Sequence, residues 1–227
     1  MRHLARQGPV TPVWLTRGGL GGDKREAESC RAMELLGIPR ESIHCLRLPD
    51  GGALDHVEEI VRRLIPLMAR EKPASVFVPA FEGGHPDHDA AQLAAAAAMR
   101  RSGLGGALYE FPLYHRQGAR TIAIGRFIPD ATPRQETRLK LKDRLMKRKL
   151  VSVYRSQRAI LMPLLALRGG PMMVHLQGEP YRRVPSGRDY GVRPHPGRLA
   201  YEFYTRRRFA GFAAVAATVM RPSAVGK

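Results

Sequence analysis

Three times in the first hundred residues, a short apolar run passes through a turn into a helix-period segment. Val10 to Thr16 leads through Arg17-Gly18-Gly19-Leu20-Gly21-Gly22 to a helix over Lys24 to Leu36. Ile43 to Leu48 leads through Pro49-Asp50-Gly51-Gly52 to a helix with the apolar stripe Val57, Ile60, Val61, Leu64 and Met68. Ser75 to Pro79 leads through Glu82 to Asp89 to an Ala-rich helix over Ala90 to Met99. Parallel strands need crossovers of this kind, so the expected class is α/β, a Rossmann-like and mainly parallel sheet flanked by helices. In such sheets ligands bind in the crevice at the carboxyl ends of the strands.

Composition narrows the class. At 227 residues and 44% hydrophobic, the chain can bury one large core, or one core plus an appendage. No run reaches the eighteen or so apolar residues of a membrane span, and Phe209 to Met220 is too short and Ala-rich for one. No signal peptide opens the sequence; Cys30 and Cys45 lack metal-site spacing and read as small buried residues, so the expected location is cytoplasmic. Lys and Arg number 38 against 20 Asp and Glu, a net +18. That balance suits an anionic partner or a solvated basic face, while no nucleic-acid module is present.

Local signals complete the map. Asp23 and Glu26 suggest a capping box, Arg25 and Glu28 an i, i+3 ion pair, and Asp55 and Glu58 caps for the next helix, with His56 at its start. Ala107 to Tyr114 and Thr121 to Ile128 read as strands, and Thr132-Pro133 opens a long basic helix towards Tyr154. Beyond Pro163 the chain is Pro-, Gly- and Arg-rich; His175 and His195 read there as polar loop residues. This tail is expected to cover the site or to contact another subunit, which would make a homo-oligomer.

Ligand chemistry is densest in Glu82-Gly83-Gly84-His85-Pro86-Asp87-His88-Asp89. Pro86 fixes its own φ and keeps His85 extended, so the two imidazoles should not stack on one helical face. One can ligate a metal while the other acts as acid or base, and Asp87 is close enough to accept an imidazole N–H. The competing reading is a solvated polar loop with Asp89 capping the Ala-rich helix. Asp50, at another strand end, can hydrogen-bond a sugar hydroxyl or form an Asx turn.

This cluster resembles the second signature of the LmbE-like, or PIG-L, superfamily of zinc-dependent N-deacetylases. Four other segments resemble family motifs in the same order: Trp14-Leu15-Thr16-Arg17-Gly18; Arg25-Glu26-Ala27-Glu28 with Ala32 and Leu36-Gly37; Leu48-Pro49-Asp50-Gly51; and Lys147 with Tyr154-Arg155-Ser156-Gln157. The resemblance runs to about residue 160, suggesting an α/β deacetylase domain over 1–160 and a C-terminal extension over 161–227. It implies a hydrolase removing an acetyl or acyl group from an N-acetylated sugar or sugar conjugate. His88 would be a zinc ligand, His85 the donor or acid beside the oxyanion, Asp87 its orienting partner, and Arg25 and Asp50 substrate contacts.

One departure stands against this. The family opens with a strand and "H-P-D-D-E", and this sequence has no such segment, its first acidic residue being Asp23. The expected fold therefore lacks the N-terminal strand, and the zinc site is incomplete, since a catalytic zinc takes about three protein ligands. Impaired activity follows, with a start inside a longer gene product as the expected origin. The alternative is a non-catalytic basic protein that binds a phosphorylated or polyanionic ligand.

Overall fold

The computed structural model describes residues 2–5, 7–19, 21–118, 121–157 and 178–221. The chain divides into two compact units, one of residues 1–50 and 137–179, the other of residues 51–136 and 180–227. Pro163, Gly169-Gly170-Pro171 and His175 lie outside the described residues.

The first unit holds α1 (Arg2–Ala5), β1 (Val13–Thr16), α2 (Gly22–Leu35), β2 (His44–Leu48) and α5 (Leu141–Val153). β1 and β2 pair in parallel, Val13 opposite His44 and Trp14 opposite Cys45. Ala32, Met33 and Ile38 are buried, with Trp14, Ile43, Leu150, Val153 and Tyr154 packed on them. The Glu28 carboxylate accepts the backbone N–H and hydroxyl of Ser156, tying α2 to the turn after α5. That replaces the expected Arg25–Glu28 pair. The capping box does not form either: Gly21 is the N-cap, without a side-chain bond, and Glu26 instead receives both arms of the Arg47 guanidinium.

The second unit holds α3 (Val57–Glu71), β3 (Ser75–Pro79), α4 (Pro86–Ser102), β4 (Ala107–Phe111), β5 (Tyr114–Gln117), β6 (Thr121–Ile124), α6 (Tyr201–Tyr204) and α7 (Phe209–Val219). β7 (Gln135–Arg138) and β8 (Gly178–Arg183) span the boundaries between the units. β3 and β4 pair in parallel, Ser75 opposite Ala107 through Pro79 opposite Phe111; β4 pairs antiparallel with β8, and β5 with β6. The four-stranded sheet runs β3-β4-β8-β7. The fold is mixed α/β, with its parallel pairs among the first four strands.

The stripe Val57, Ile60, Val61, Leu64 and Met68 is buried as its period requires. Its partner α4 presents Ala90, Leu93, Ala94, Ala97 and Ala98, all fully buried, and small residues let the two helices approach closely. Phe212 and Ala216 of α7 join this core. Burying a side chain the size of Ile60, Leu93 or Phe212 is worth about 1.5–3 kcal/mol. Asp55 and Glu58 do not cap α3; His56 is its N-cap, while Asp55 pairs with Arg207 and Glu58 with Arg101.

Four other expectations are corrected. Pro112, which has no N–H to give a ladder, splits the run 107–114 into β4 and β5. The strand expected over Thr121 to Ile128 stops at Ile124, before Gly125 with φ +62°. Residues 135–138 enter the sheet instead of beginning the basic helix, which starts only at Leu141, because strand pairing overrides a weak helical preference. The Pro- and Arg-rich tail contributes β8, whose Arg182 is buried and bonded to Glu110 at 2.6 Å and to Asp130 at 2.6 Å.

Candidate active site

The loop from Ala80 to Gly84 is buried throughout, and two features of its sequence require the path it takes. Gly84 passes so close to β5 that a Cβ there would stand 2.0 Å from the Tyr114 carbonyl oxygen. Gly83 adopts φ +69° under Leu199, and its carbonyl accepts the Ala200 N–H at 2.9 Å. The helix then begins four residues before the expected Ala90. His85 is extended (φ −131°, ψ 140°) and serves as N-cap, and Pro86 occupies the first turn, where its missing N–H costs nothing. The cluster is thus a helix N-terminus and not a free loop.

His85 Nδ1 accepts the Asp87 backbone N–H at 3.2 Å, so a neutral His85 carries its proton on Nε2. The His85 and His88 rings lie side by side, tilted by 41° and not stacked, with centroids 5.1 Å apart, since N-cap and third helical residue share a face. Tyr204 lies 6.2 Å from the His85 ring and donates to the Gly84 carbonyl at 2.8 Å; Tyr114 stands edge-on to His88 at 5.7 Å. The two tyrosines are hydrogen-bonded to each other, and burial raises both phenol pKa values. Burial, reinforced by the His85 charge, depresses His88 to about 3, so it is a neutral imidazole, and its Nδ1 is buried without a hydrogen-bond partner among the described residues.

The carboxylates divide differently from expectation. Asp87 accepts the backbone N–H groups of Gly51 (2.8 Å) and Ala53 (3.0 Å), fastening the residues after Asp50 to the start of α4, and its nearest approach to His85 Nδ1 is 4.0 Å. Accepting an imidazole N–H is therefore not its geometry. Asp89 does not cap the helix: it is fully buried and accepts the Glu82 and Gly83 N–H groups at 3.2 Å each. Burial pushes its pKa up to about 8 against those two bonds. Glu82 accepts the Leu113 N–H at 2.7 Å and lies 3.4 Å from His115 Nδ1. His115 is in turn 6.2 Å, ring to ring, from His195.

Of the residues singled out from sequence, His85, Asp87 and His88 come together in the second unit. Arg25 and Asp50 come together in the first unit around one turn, a Cβ on Gly18 meeting Arg25 at 2.4 Å and one on Gly19 meeting Asp50 Oδ2 at 3.3 Å. Tyr114, His115, His195 and Tyr204 were not expected at the site. The alternation of Tyr114 and Arg116 along a strand was the available signal for the first; nothing local announces Tyr204.

Zinc can be weighed against this donor set. His88, neutral and with an unpartnered buried nitrogen, has the character of a ligand. No group of three His, Cys, Asp or Glu suited to a metal occurs among the described residues, so a three-ligand centre does not fit them. No helix among them is long and apolar enough to cross a membrane.

The PIG-L family model, described as GlcNAc-PI de-N-acetylase, matches residues 1–99. No curated protein matches. Among solved structures, the A40926 pseudoaglycone deacetylase is 18% identical, with TM-score 0.58 and coverage of 86% of this chain and 90% of that one. The N,N'-diacetylchitobiose deacetylase from Pyrococcus horikoshii is 19% identical, with TM-score 0.57 and coverage of 81% and 76%. A zinc-inhibited form of teicoplanin deacetylase is 16% identical, with TM-score 0.52 and coverage of 73% and 76%. None of these favours a non-catalytic polyanion binder. Residues 1–99 thus match the PIG-L, or LmbE-like, family model, and the chain has the fold of these deacetylases.

Proposed function

We propose that the chain is an N-deacetylase acting on an N-acetylated sugar or sugar conjugate, with N-acetylglucosamine the sugar unit to try first. The observation that carries this reading is the His85–His88 pair, 5.1 Å apart at the N-terminus of α4 within a deacetylase fold. In this reading water adds to the amide carbon, His85 Nε2–H donates a hydrogen bond to the carbonyl oxygen as negative charge develops there, and the C–N bond breaks as the proton that the water gives up is relayed through His85 Nε2 to the leaving amine. Asp87, whose backbone N–H fixes His85 Nδ1 as an acceptor, also holds the 51–53 turn against the helix. The helix N-terminus adds a positive dipole end to the same place.

His88 would be the metal ligand, and zinc when bound would supply an activated water and polarise the carbonyl. Zinc binding is expected to need ligands in addition to His88, and unaided turnover to be slow. A cytoplasmic setting goes with this reading, supported by two free cysteines, Cys30 and Cys45.

Acetate release from an N-acetylglucosamine conjugate, with and without added zinc, tests the proposal. The expected outcome is slow release that rises with zinc and drops about 100-fold or more in His85→Ala and in His88→Ala. Absence of release at any zinc concentration, across neutral and charged N-acetyl sugars, would reject it.

A further inference from the structure

Two neighbouring aromatic side chains at the end of α6 are about half exposed, Phe203 at 49% and Tyr204 at 56%. An exposed ring is informative where the chain holds it in place. α6 is such a support: its residues Tyr201 and Glu202 are fully buried, and the Ala200 N–H before it donates to the Gly83 carbonyl at 2.9 Å. The Thr205 N–H closes the turn on the Tyr201 carbonyl, also at 2.9 Å. The backbone that carries both rings is thereby fastened to the buried loop after β3.

The two rings differ in what already covers them. Phe203 has the guanidinium carbons of Arg116 and Arg198 at 4.0 and 4.2 Å from its centroid, so its π-surface is stacked with cations. Among the described residues no guanidinium stacks on Tyr204; the ring beside it is His85, at 6.2 Å and tilted by 31°. The Tyr204 hydroxyl is nevertheless pinned, donating to the Gly84 carbonyl at 2.8 Å and sharing a hydrogen bond with Tyr114. A tyrosine held at its backbone and at its hydroxyl has lost its rotamer freedom on folding, so a ligand that covers its exposed face orders nothing further.

The place of this ring limits what it meets. It lies beside His85, the residue assigned to the amide carbonyl, while Tyr114 stands edge-on to His88 at 5.7 Å. In an N-acetylated sugar the amide nitrogen is bonded directly to the ring, so an acetamide at His85 brings the pyranose itself to the neighbouring Tyr204. A pyranose with equatorial substituents carries its hydroxyls at the rim and its C–H groups on the two faces. Those faces are apolar and weakly positive, and a phenol ring presents an apolar and negative face to them. An aliphatic side chain would exclude water there without that electrostatic match.

We infer that Tyr204 is the stacking platform for the pyranose ring of the substrate, which gives the site a preference for cyclic N-acetylated sugars over acyclic acetamides; the inference rests on the deacetylase reading above. NMR titration of the full chain with methyl N-acetyl-β-glucosaminide and with N-acetylethanolamine tests it, in the parent, Tyr204→Phe and Tyr204→Leu. The parent is expected to bind the glycoside about tenfold or more tighter than the acyclic amide, with saturation passing from aromatic resonances chiefly to the C–H protons of one pyranose face. Tyr204→Leu, which keeps bulk without a π-face, should bring the two affinities within about twofold of each other. Tyr204→Phe loses the hydroxyl anchor and keeps the ring, so about threefold or more of the preference should remain. Equal affinity of the parent for both amides would overturn the inference. So would a Tyr204→Leu chain that unfolds as the parent and keeps the full preference, or a preference lost equally in Tyr204→Phe and Tyr204→Leu, which would assign the effect to the hydroxyl. Should Tyr204→Leu fail to fold, the saturation pattern of the parent and the Tyr204→Phe titration decide. Acetate release is a separate result: equal binding and equal release for the two amides would remove the platform and leave the chemistry, whereas selective glycoside binding without release would retain the platform and remove the chemistry assigned to the histidines.

Discussion

Two glycine-rich loops carry a strand into a helix, and they differ in nearly everything except composition. After β1, residues 17–21 hold Gly18, Gly19 and Gly21 at φ +78°, +54° and +87°, and Arg17, Gly19 and Gly21 are exposed. The helix that follows has Gly21 as N-cap and no side-chain bond to its first turn. After β3, residues 80–84 are all buried, the helix is capped by His85, and Asp89 holds the Glu82 and Gly83 N–H groups. The first loop is mostly exposed, with Gly18 buried against Arg25, whereas the second is packed along its whole length. A buried loop must satisfy every backbone donor internally, and that requirement makes its geometry firm enough to hold two imidazoles in register.

The largest way to break this contrast is Gly84→Ala. Its Cβ would need the space of the Tyr114 carbonyl, which is backbone and cannot rotate aside. A cost of about 3 kcal/mol or more is expected in urea unfolding, with loss of the His85–His88 arrangement seen in the histidine ring resonances.

Next comes Asp89, which tests whether burial or its two backbone bonds dominates. With a folded pKa of about 8 against an ordinary value near 4, Asp89 keeps a proton in the folded state that the unfolded chain has released. Stability from this group is fully present below about pH 4 and is lost as pH rises towards 8. Asp89→Asn retains an acceptor for Glu82 and Gly83 and should flatten that decline, standing a few kcal/mol above the parent at pH 9 and level with it at pH 4. An unfolding series across this range that leaves parent and variant parallel would reassign the loop's stability to the backbone bonds alone.

The smallest effect belongs to the exposed loop. Gly21→Ala meets open space, so only the strain of φ +87° remains, about 1 kcal/mol in urea unfolding, with no change at the histidines. If that substitution disturbed the histidine resonances as much as Gly84→Ala, the two loops would not be separable in the way their burial indicates.

Much of this was readable before any coordinates. Strand, turn and helix alternate with periods that burial demands, and so β3 and the stripe of α3 fall where the apolar spacing puts them. The histidine cluster announced itself by density. What stayed hidden needed partners from far along the chain. Tyr204 reaches Gly84 across 120 positions, and Glu202 accepts from Arg193 within a segment whose composition reads as loop. β8 hides within a Pro- and Arg-rich stretch because its arginine is neutralised by Glu110, which lies 72 positions away.

The sequence by itself therefore determined the α/β class, the address of the candidate site after β3, and the three side chains His85, Asp87 and His88 that are proposed to act there. These rest on local periodicity and on chemistry concentrated in one stretch, neither of which needs a distant neighbour. Only the tertiary structure decided that His85 caps the helix, that Asp87 serves backbone N–H groups, that Asp89 is buried with a raised pKa, and that Arg116 and Arg198 share one ring. Burial and charge at those positions are set by contacts between residues far apart in the chain, and no local pattern encodes which of them will meet.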